Sequence, residues 1–247
     1  MRIGIVGGGA AGFFSAITMA EKNCSLKIVI LEKSQNTLSK VRISGGGRCN
    51  VTNAVTGVKE FADFYPRGSR ELISVFSKFG NEDTIRWFKE KGVALKAEQD
   101  GRIFPETNDS QTIINLFNKL ASRHGIEVKT GFDVSDISVK EKSFFVKDRK
   151  GNTLSFDKLL VSSGGFSTID KYRWIEKLGH TIVPPVPSLF TFNCKDVMLR
   201  DMQGISVRKA VVKIKGTKLN SCGDLLITHW GFSGPAILKL SAFGARM

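Results

Sequence analysis

The first 33 residues carry a hydrophobic pattern that predicts a β-α-β unit. Short apolar runs occupy residues 2–6 ("RIGIV") and 26–33 ("LKIVILEK"), and each has the length of a buried strand. Between them, a glycine turn leads into a stretch in which Phe14, Ile17 and Ala20 share one helical face. Two such strands joined by a helix in an open sheet are parallel, with a right-handed crossover. The pattern therefore predicts an α/β domain built on a parallel sheet.

Helical periodicity returns over residues 69–79 and 81–92, and Asn81 is the expected N-cap of the second of these helices. Residues 93–105, "VALKAEQDGRIFP", predict a hairpin that turns at the Asp-Gly pair. A longer helix is expected over residues 109–125, capped by its first or second residue and stopped by the final glycine.

The period changes after this helix. Residues 126–165 alternate over several short strands, which predicts a β-meander that returns to the sheet. Three prolines in residues 181–192 predict an extended connector between domains. We therefore expect one domain over residues 1–190 and a second, β-rich domain over residues 191–247, with a helix starting at Pro235.

Composition indicates a globular protein. The chain has 247 residues, 41% of them hydrophobic, which suits one large domain or one domain and part of another. No apolar run reaches the roughly 18 residues of a membrane span, and the N-terminus lacks the pattern of a signal peptide. A cytoplasmic location without membrane contact is the default expectation. The four cysteines are scattered without zinc-site spacing, so we expect reduced thiols and no metal site.

The formal net charge is +14, from 37 basic and 23 acidic residues. Such a charge invites a nucleic-acid interpretation. The basic residues are however spread along the chain and mostly interleaved with acids. We interpret them as a solvated basic surface and expect a small-molecule substrate, while attraction of anionic substrates, phosphates or RNA stays open. Nothing in the sequence predicts the oligomeric state.

A first glycine motif, "GGGAAG", indicates a dinucleotide site. Gly7, Gly9 and Gly12 have the G-x-G-x-x-G spacing between a predicted strand and a predicted helix. In this motif the first glycine permits the turn, the second admits a pyrophosphate, and the third allows close packing of helix and strand. The helix N-terminus offers free N–H groups to phosphate. Glu32, which closes the second strand, is placed to accept hydrogen bonds from a ribose.

A second glycine loop, "SGGGRCNVTN" from Ser44 to Asn53, favours FAD over NAD as the dinucleotide. A flavoprotein must also hold the flavin and the far side of the pyrophosphate, and this loop follows Glu32 closely in sequence. Its backbone N–H groups can form an anion nest, Arg48 can pair with phosphate or a flavin carbonyl, and Lys40 adds charge. The alternative is a mobile surface loop with Arg48 in solvent.

Five motifs together resemble one family. They are "IVGGGAAG", "ISGGGRCNVTN", "GRIFP", "GHTIVPPVPSLFTF" and "THWGFSGPAILKLS", and in this order they resemble the bacterial BaiN-like flavoproteins. That family is described as NAD(P)/FAD-dependent oxidoreductases and includes aminoacetone oxidases and bile-acid dienone reductases. The resemblance implies a Rossmann-like FAD-binding domain into which a β-rich domain is inserted after the proline connector.

The resemblance also implies roles for individual residues. The glycine turn would hold the pyrophosphate, Glu32 the ribose, the second loop with Lys40 the pyrophosphate and flavin, Val134 the adenine, and the "VSSGG" turn would close over the nucleotide. The cofactor-binding residues predicted in this way are Gly7, Gly9, Ala10, Ala11, Gly12, Glu32, Lys33, Lys40, Ser44, Gly45, Gly46, Gly47, Arg48, Cys49, Asn50, Val134, Ser163, Gly164 and Gly165.

Family members continue beyond this point with a segment that holds the flavin and its ribityl chain. The resemblance therefore leads to the expectation of a C-terminally truncated chain that does not retain stoichiometric flavin when purified. His229, in a turn beside glycine, is the candidate catalytic residue, and the alternative is an imidazole that ties the turn. Cys49 has no partner cysteine nearby and is expected to be a packed thiol.

The predicted function is that of an FAD-dependent oxidoreductase acting on a small amine, ketone or unsaturated carbonyl compound, with NAD(P)H as a transient electron donor or oxygen as the partner. Two alternatives stay open. One is an RNA-modifying flavoprotein, suggested by the net charge, and the other is a truncated, non-catalytic remnant.

Overall fold

A computed structural model describes residues 1–196, 199 and 201–247 of the chain. They form two compact units. Unit 1 comprises residues 1–62 and 70–183, and unit 2 comprises residues 63–69 and 184–247. The expected boundary after residue 190 lies inside unit 2, because the main segment of this unit begins at Pro184, within the proline connector. Unit 2 also includes residues 63–69, which lie between two segments of unit 1 in the sequence.

The elements before the meander are, in chain order, β1 (Arg2–Val6), α1 (Ala10–Lys22), β2 (Lys27–Leu31), α2 (Ser39–Ile43), β3 (Thr52–Asn53), α3 (Val58–Ala62), α4 (Ser69–Phe76), α5 (Asn81–Glu90), β4 (Leu95–Ala97), β5 (Arg102–Pro105), α6 (Gln111–Arg123) and β6 (Glu127–Lys129). The elements that follow are β7 (Val134–Lys140), β8 (Ser143–Asp148), β9 (Thr153–Phe156), β10 (Lys158–Val161), α7 (Arg173–Glu176), β11 (Phe192–Asn193), β12 (Ser206–Lys213), β13 (Asn220–Thr228), β14 (Gly231–Ser233) and α8 (Pro235–Gly244).

A parallel four-stranded sheet is the frame of unit 1. Its order is β10-β1-β2-β6, and every pairing is parallel. Four of the five residues of β1 and of β2 are buried, because the sheet is covered on both faces. The predicted β-α-β unit and the α/β class are confirmed.

Two apolar cores cover the sheet. The first packs α1 and α6 on one face, with Phe13, Ile17 and Phe117 almost fully buried. The second packs the three-stranded antiparallel meander β7-β8-β9 against the sheet, around Val146 and Phe156. The meander thereby caps the side of the sheet that α1 leaves open.

One predicted helix start is corrected by the structure. Asn81 does not cap α5, because the N-cap is Gly80, whose N–H donates to the Asp83 carboxylate at 2.8 Å. The Asn81 amide instead donates to the carbonyls of Asn53 and Val55 at 2.8 and 2.6 Å. A buried amide with both N–H groups satisfied holds the loop after β3 to α5, a tertiary contact that a local capping rule does not include.

Unit 2 contains an antiparallel sheet of order β11-β14-β13-β12 and the helix α8. Pro235 is the first residue of α8, as expected from its missing N–H and fixed φ. Ala236, Ile237 and Leu240 are fully or almost fully buried where α8 packs on β13 and β12. β12 is an edge strand of this sheet, and most of its residues are exposed.

Candidate functional site

A cavity of about 1040 Å³ opens in unit 1 beside the point where β1 ends and α1 begins. This volume lies just above the range of about 300–1,000 Å³ that is usual for small-molecule sites. The lining comes from Gly7–Ala11, Phe14, Glu32–Ser34, Leu38–Val41, Ser44, Cys49–Val51, Phe79, Thr84, Phe88, Ile113, Phe117, Ser162–Ser167 and Lys171. The carboxyl end of a parallel sheet, next to a helix N-terminus, is where open α/β folds bind ligands.

A side chain would meet a different environment at each of the three spaced glycines of the first motif. Gly7 has a φ of +115°, and a Cβ there would lie 2.4 Å from the Ser162 carbonyl oxygen. A Cβ on Gly12 would lie 2.0 Å from the Gly7 carbonyl oxygen. At Gly9, which lines the cavity, a Cβ would meet no atom within 4 Å. The fold itself therefore excludes side chains at Gly7 and Gly12, whereas Gly9 leaves space that only a ligand would need.

Helix α1 begins at this open space without a side-chain cap. Its N-cap is Gly9, and its first turn contains no acidic residue. The first N–H groups of a helix have no intrahelical partner and carry the positive end of the helix dipole. Ala10 and Ala11 also line the cavity, so this end of it presents bare N–H donors suited to an anion.

Glu32 anchors the two turns that frame the cavity. Its Oε2 accepts a hydrogen bond from the N–H of Gly8 at 2.8 Å. Its Oε1 accepts from the N–H and the hydroxyl of Ser34 at 2.9 and 2.7 Å. A carboxylate has about four acceptor positions, so the three bonds leave room for one more. The binding of a ribose by Glu32 stays a prediction, whereas its hydrogen bond with the N–H of Gly8 shows that it orients the glycine turn.

The second glycine loop divides between the cavity and its own hairpin. Gly45, Gly46 and Gly47 all have positive φ, at +57°, +70° and +88°, and none of the three lines the cavity. A Cβ on Gly45 would lie 2.7 Å from the ring of Phe104. The bare backbone therefore approaches β5, while Ser44, Cys49 and Asn50 of the same loop face the cavity.

Arg48 is not brought to the cavity. Its Nη1 pairs with Oε1 of Glu98 at 2.5 Å, and its guanidinium lies over the ring of Phe104 at 4.0 Å. This differs from the predicted pairing with phosphate or a flavin carbonyl. The physical reason is local, because the β4-β5 hairpin supplies both an anion and an aromatic face within reach of the loop.

Unlike Arg48, two lysines of the predicted set do reach the cavity. Lys40 and Lys33 both line it and are exposed, and neither forms an ion pair among the residues that the structure describes. The Lys40 Nζ lies against the "VSSGG" turn, where a Cβ built on Gly164 would be 3.2 Å from it. Ser163, Gly164 and Gly165 line the same wall. The cavity therefore combines a helix N-terminus with three lysines, Lys33, Lys40 and Lys171, none of which forms an ion pair with another described residue.

Cys49 lines the cavity as a buried thiol with a φ of +63°. Burial raises the pKa of this thiol, and a hydrogen bond with Ser44 opposes that shift only in part. The protonated thiol is the unreactive form. The local environment thus agrees with a packing role for Cys49.

An apolar wall of the cavity was not selected from the sequence. It is formed by Val51, Phe79, Phe88, Ile113 and Phe117, together with Phe14, whose ring lies 5.1 Å from that of Trp87 and 5.2 Å from that of Phe79. Each of these residues is also a plausible core position of its own element, so no local pattern distinguishes them. Only the packing of α1, α5 and α6 around one space shows that they line a site.

Two predicted residues lie elsewhere. Val134 begins β7, an edge strand of the meander as expected, but it packs against the second core and does not line the cavity. His229 belongs to unit 2, where its ring meets Trp230 edge-on at 4.1 Å. His229 and Trp230 both line a cavity of about 480 Å³ within that unit. The adenine contact and the catalytic role stay predictions.

Metal chemistry has no candidate ligands in the described part of the chain, where no group of three or more His, Cys, Asp and Glu side chains could hold an ion. All four cysteines are free thiols. Among the residues described, no helix has both the length and the apolar character needed to cross a bilayer.

The model of the HI0933-like protein Rossmann domain matches residues 1–236. A 3-dehydro-bile acid delta(4,6)-reductase of Clostridium scindens is 27% identical over 99% of this chain and 61% of its own length. A ribosomal RNA dihydrouridine synthase of Haemophilus influenzae is 28% identical over 97% of this chain and 60% of its own length. The chain thus spans about three fifths of the curated relatives it matches.

A solved structure, the open conformation of a flavocytochrome c3 fumarate reductase, has a TM-score of 0.54 to this chain. The similarity covers 84% of this chain and 47% of that one at 17% identity, and it concerns the fold alone.

Proposed function

The chain belongs to the HI0933-like Rossmann-domain family, and on this basis we propose that it binds FAD in the unit 1 cavity and acts as an oxidoreductase. The observation that carries the proposal is the open space at Gly9, in front of an uncapped helix start. The fold has no need of a glycine there, whereas a pyrophosphate lying against the backbone does.

The donor set of the cavity fits an FAD molecule. At one end the first N–H groups of α1, with Lys33 and Lys40 exposed nearby, suit two phosphates. Glu32 has an acceptor position left for a ribose hydroxyl. The apolar wall around Phe14 and Phe117 suits a flat aromatic ring system that must be removed from water.

The residues of the chain would bind and orient the cofactor and exclude water from it. The cations and the helix N-terminus compensate the phosphate charge, and the aromatic wall lowers the local dielectric around the ring. Cys49, kept protonated by burial, is not a redox partner in this arrangement. Bound FAD, once reduced by its electron donor, would supply a hydride, which carries both electrons of the reduction and is chemistry that no side chain provides.

For the substrate we propose a carbon–carbon double bond conjugated with a carbonyl group. The names of the two curated relatives both describe this chemistry. A delta(4,6)-reductase of a 3-dehydro compound adds two hydrogens at such a bond, and so does an enzyme that converts uridine to dihydrouridine. The proposal selects the unsaturated carbonyl from the three small-molecule classes predicted by the sequence. An NAD(P)H donor completes the electron balance, because each reduction consumes one hydride and one proton.

An absorbance spectrum of the purified chain, before and after addition of FAD, tests cofactor binding. We expect saturable binding with perturbed flavin bands, followed by bleaching when NADPH or NADH is added without oxygen and recovery of the oxidised spectrum on addition of an enone. A chain that binds no FAD at any concentration would support the remnant alternative. Flavin that is bound and reduced but not reoxidised by any enone would contradict the substrate class alone.

RNA is the second candidate substrate. It is favoured by the rRNA-modifying relative, which aligns with nearly the whole chain, and by the net charge of +14. Uridine in a single-stranded RNA is itself an unsaturated carbonyl compound, so both candidates use the same reduction. Formation of dihydrouridine in total RNA incubated with the reduced enzyme, against free enones as competing acceptors, distinguishes them.

A further inference from the structure

Five basic residues follow one another in the β12-β13 hairpin of unit 2 without an intervening acid. They are Arg208, Lys209, Lys213, Lys215 and Lys218, and we call them the basic strip. All five side chains are exposed, and none pairs with a carboxylate among the residues that the structure describes. The only acid between residues 206 and 228 is Asp224, whose carboxylate accepts a bond from the backbone N–H of Lys209 at 3.1 Å.

The strand geometry keeps these charges outward. β12 is the edge of the sheet order β11-β14-β13-β12, so its outer side has no partner strand among the described residues. The register shifts between Val207 and Ala210, and Lys209 has a φ of +52°. Such a bulge twists an edge strand and re-aims its side chains, which here are Arg208 and Lys209. A cationic edge of this kind disfavours pairing with another strand.

Unit 1 provides the contrast. In that unit acids are interleaved with the basic residues, and some of the exposed cations are paired, as in Arg149–Asp133 at 2.8 Å and Lys177–Asp136 at 3.0 Å. A row of cations without counter-charges destabilises the folded chain through mutual repulsion. A bound polyanion removes this repulsion and also releases its own counterions, which favours binding. The basic strip is therefore the part of the described chain that best fits a phosphate backbone.

A cavity lined mostly by polar residues, together with two aromatic ones, lies at the other end of the same sheet. Gly204 and Ile205, just before β12, bond to the backbone of Ile227 at 2.9 and 3.0 Å, so the start of β12 is beside the end of β13. The turn that follows β13 carries His229 and Trp230, which line the 480 Å³ cavity. Trp230 is 46% exposed. A positive strip together with an exposed aromatic ring is the arrangement that proteins use to bind single-stranded nucleic acid.

We propose that unit 2 binds single-stranded RNA, with phosphates along the basic strip and one base stacked on Trp230. The proposal extends the RNA candidate of the proposed function and rests on it for its biological meaning. RNA is favoured over an acidic protein because the basic strip follows β12 and the turn after it, and the same sheet carries an exposed aromatic ring at its other end. RNA binding is measured without flavin or turnover. A chain that binds no RNA therefore leaves the redox proposal intact, and a chain that binds no FAD leaves the RNA-binding proposal intact.

The test uses the full chain and a fluorescein-labelled, mixed-sequence single-stranded RNA of about 16 nucleotides, followed by anisotropy over a salt series. The variant Lys213→Ala/Lys215→Ala/Lys218→Ala should weaken binding about tenfold or more at low salt. It should also reduce the slope of log K against log salt by about 2, because each phosphate contact on a single strand contributes about 0.7. These exposed side chains make no contact that folding needs, so the melting temperature should stay unchanged.

A matched control is the variant Lys140→Ala/Lys142→Ala/Lys150→Ala, which removes the same charge from exposed positions of unit 1. It should keep most of the affinity. Equal losses in both variants, or no RNA binding at low salt, would overturn the proposal. A polyglutamate peptide that binds as tightly as the RNA would replace it with an acidic protein partner.

Stacking is tested separately. Trp230→Ala should lower the affinity about 5- to 100-fold, as expected for one stacked base, while Trp230→Phe should retain most of it. A duplex RNA of the same sequence cannot stack an unpaired base and should bind more weakly than the single strand. Equal binding of both RNAs, with no effect of Trp230→Ala, would contradict the stacked base.

Discussion

Gly9 and Gly12 lie three residues apart in one motif, and the structure predicts opposite consequences when each is replaced by alanine. Gly9 has a φ of −91°, and its Cβ would meet no atom within 4 Å. The Cβ of an alanine at position 12 would overlap the Gly7 carbonyl oxygen at 2.0 Å. The first change therefore acts on a ligand, and the second acts on the fold.

The magnitudes follow from these distances. Overpacking of a tight contact costs about 1–3 kcal/mol, so Gly12→Ala should lower the melting temperature by about 2–12 °C in a domain of this size. At Gly9, an alanine loses some N-cap preference and also reduces the entropy of the unfolded chain, and the two effects leave a net change within about 1 kcal/mol. For FAD, a methyl group where the pyrophosphate meets the backbone should weaken binding at least about tenfold, or about 1.4 kcal/mol.

Two experiments measure stability and cofactor affinity separately. Thermal melting of both variants without cofactor reports stability, and titration of Gly9→Ala and the wild-type chain with FAD, followed by flavin fluorescence, reports affinity. Gly12→Ala is the control for damage to the turn. The reasoning fails if Gly9→Ala binds FAD as tightly as the wild-type chain does. It also fails if Gly9→Ala melts as early as Gly12→Ala, because the position would then be structural.

Two further substitutions and one labelling experiment test neighbouring assignments. Glu32→Ala should lower the melting temperature by several degrees, because the buried N–H of Gly8 loses its acceptor at a cost of about 1–3 kcal/mol; an unchanged melting temperature would contradict this anchoring role. The raised pKa of Cys49 predicts that a thiol reagent at neutral pH labels the two exposed cysteines first, and equal rates would show that Cys49 is accessible. Arg48→Ala should lower stability by about 1 kcal/mol through the lost contact with Phe104 and leave FAD affinity unchanged, whereas a tenfold loss of FAD affinity would return Arg48 to the cofactor site.

The glycine motifs show how far local sequence reaches. The spacing of Gly7, Gly9 and Gly12 between a strand and a helix is a local pattern, and it placed the turn, the helix start and the direction of the sheet correctly. The second loop is also glycine-rich, but its three glycines are explained by positive φ and by the ring of Phe104. Both loops look alike in the sequence because glycine is required for any close backbone approach, whatever is approached.

Arg48 and the apolar wall show where local reasoning stops. The partner of Arg48 is Glu98, fifty positions away along the chain, and the wall combines residues of α1, α5 and α6. Long-range pairing depends on which elements fold against each other, and neither charge nor hydrophobicity at a single position records that choice. The same holds for Asn81, whose amide binds a loop that lies two helices earlier in the chain.

The sequence by itself determined the parallel β-α-β unit, the meander and the family, because the periods of strand and helix and the spacing of glycines are local properties of the chain. The tertiary structure decided which of the predicted residues share the cavity, which glycine leaves space for a ligand, and that the cations of β12 pair with no carboxylate of the residues it describes. Those features depend on distances between segments that are remote in sequence, and only the folded packing sets such distances.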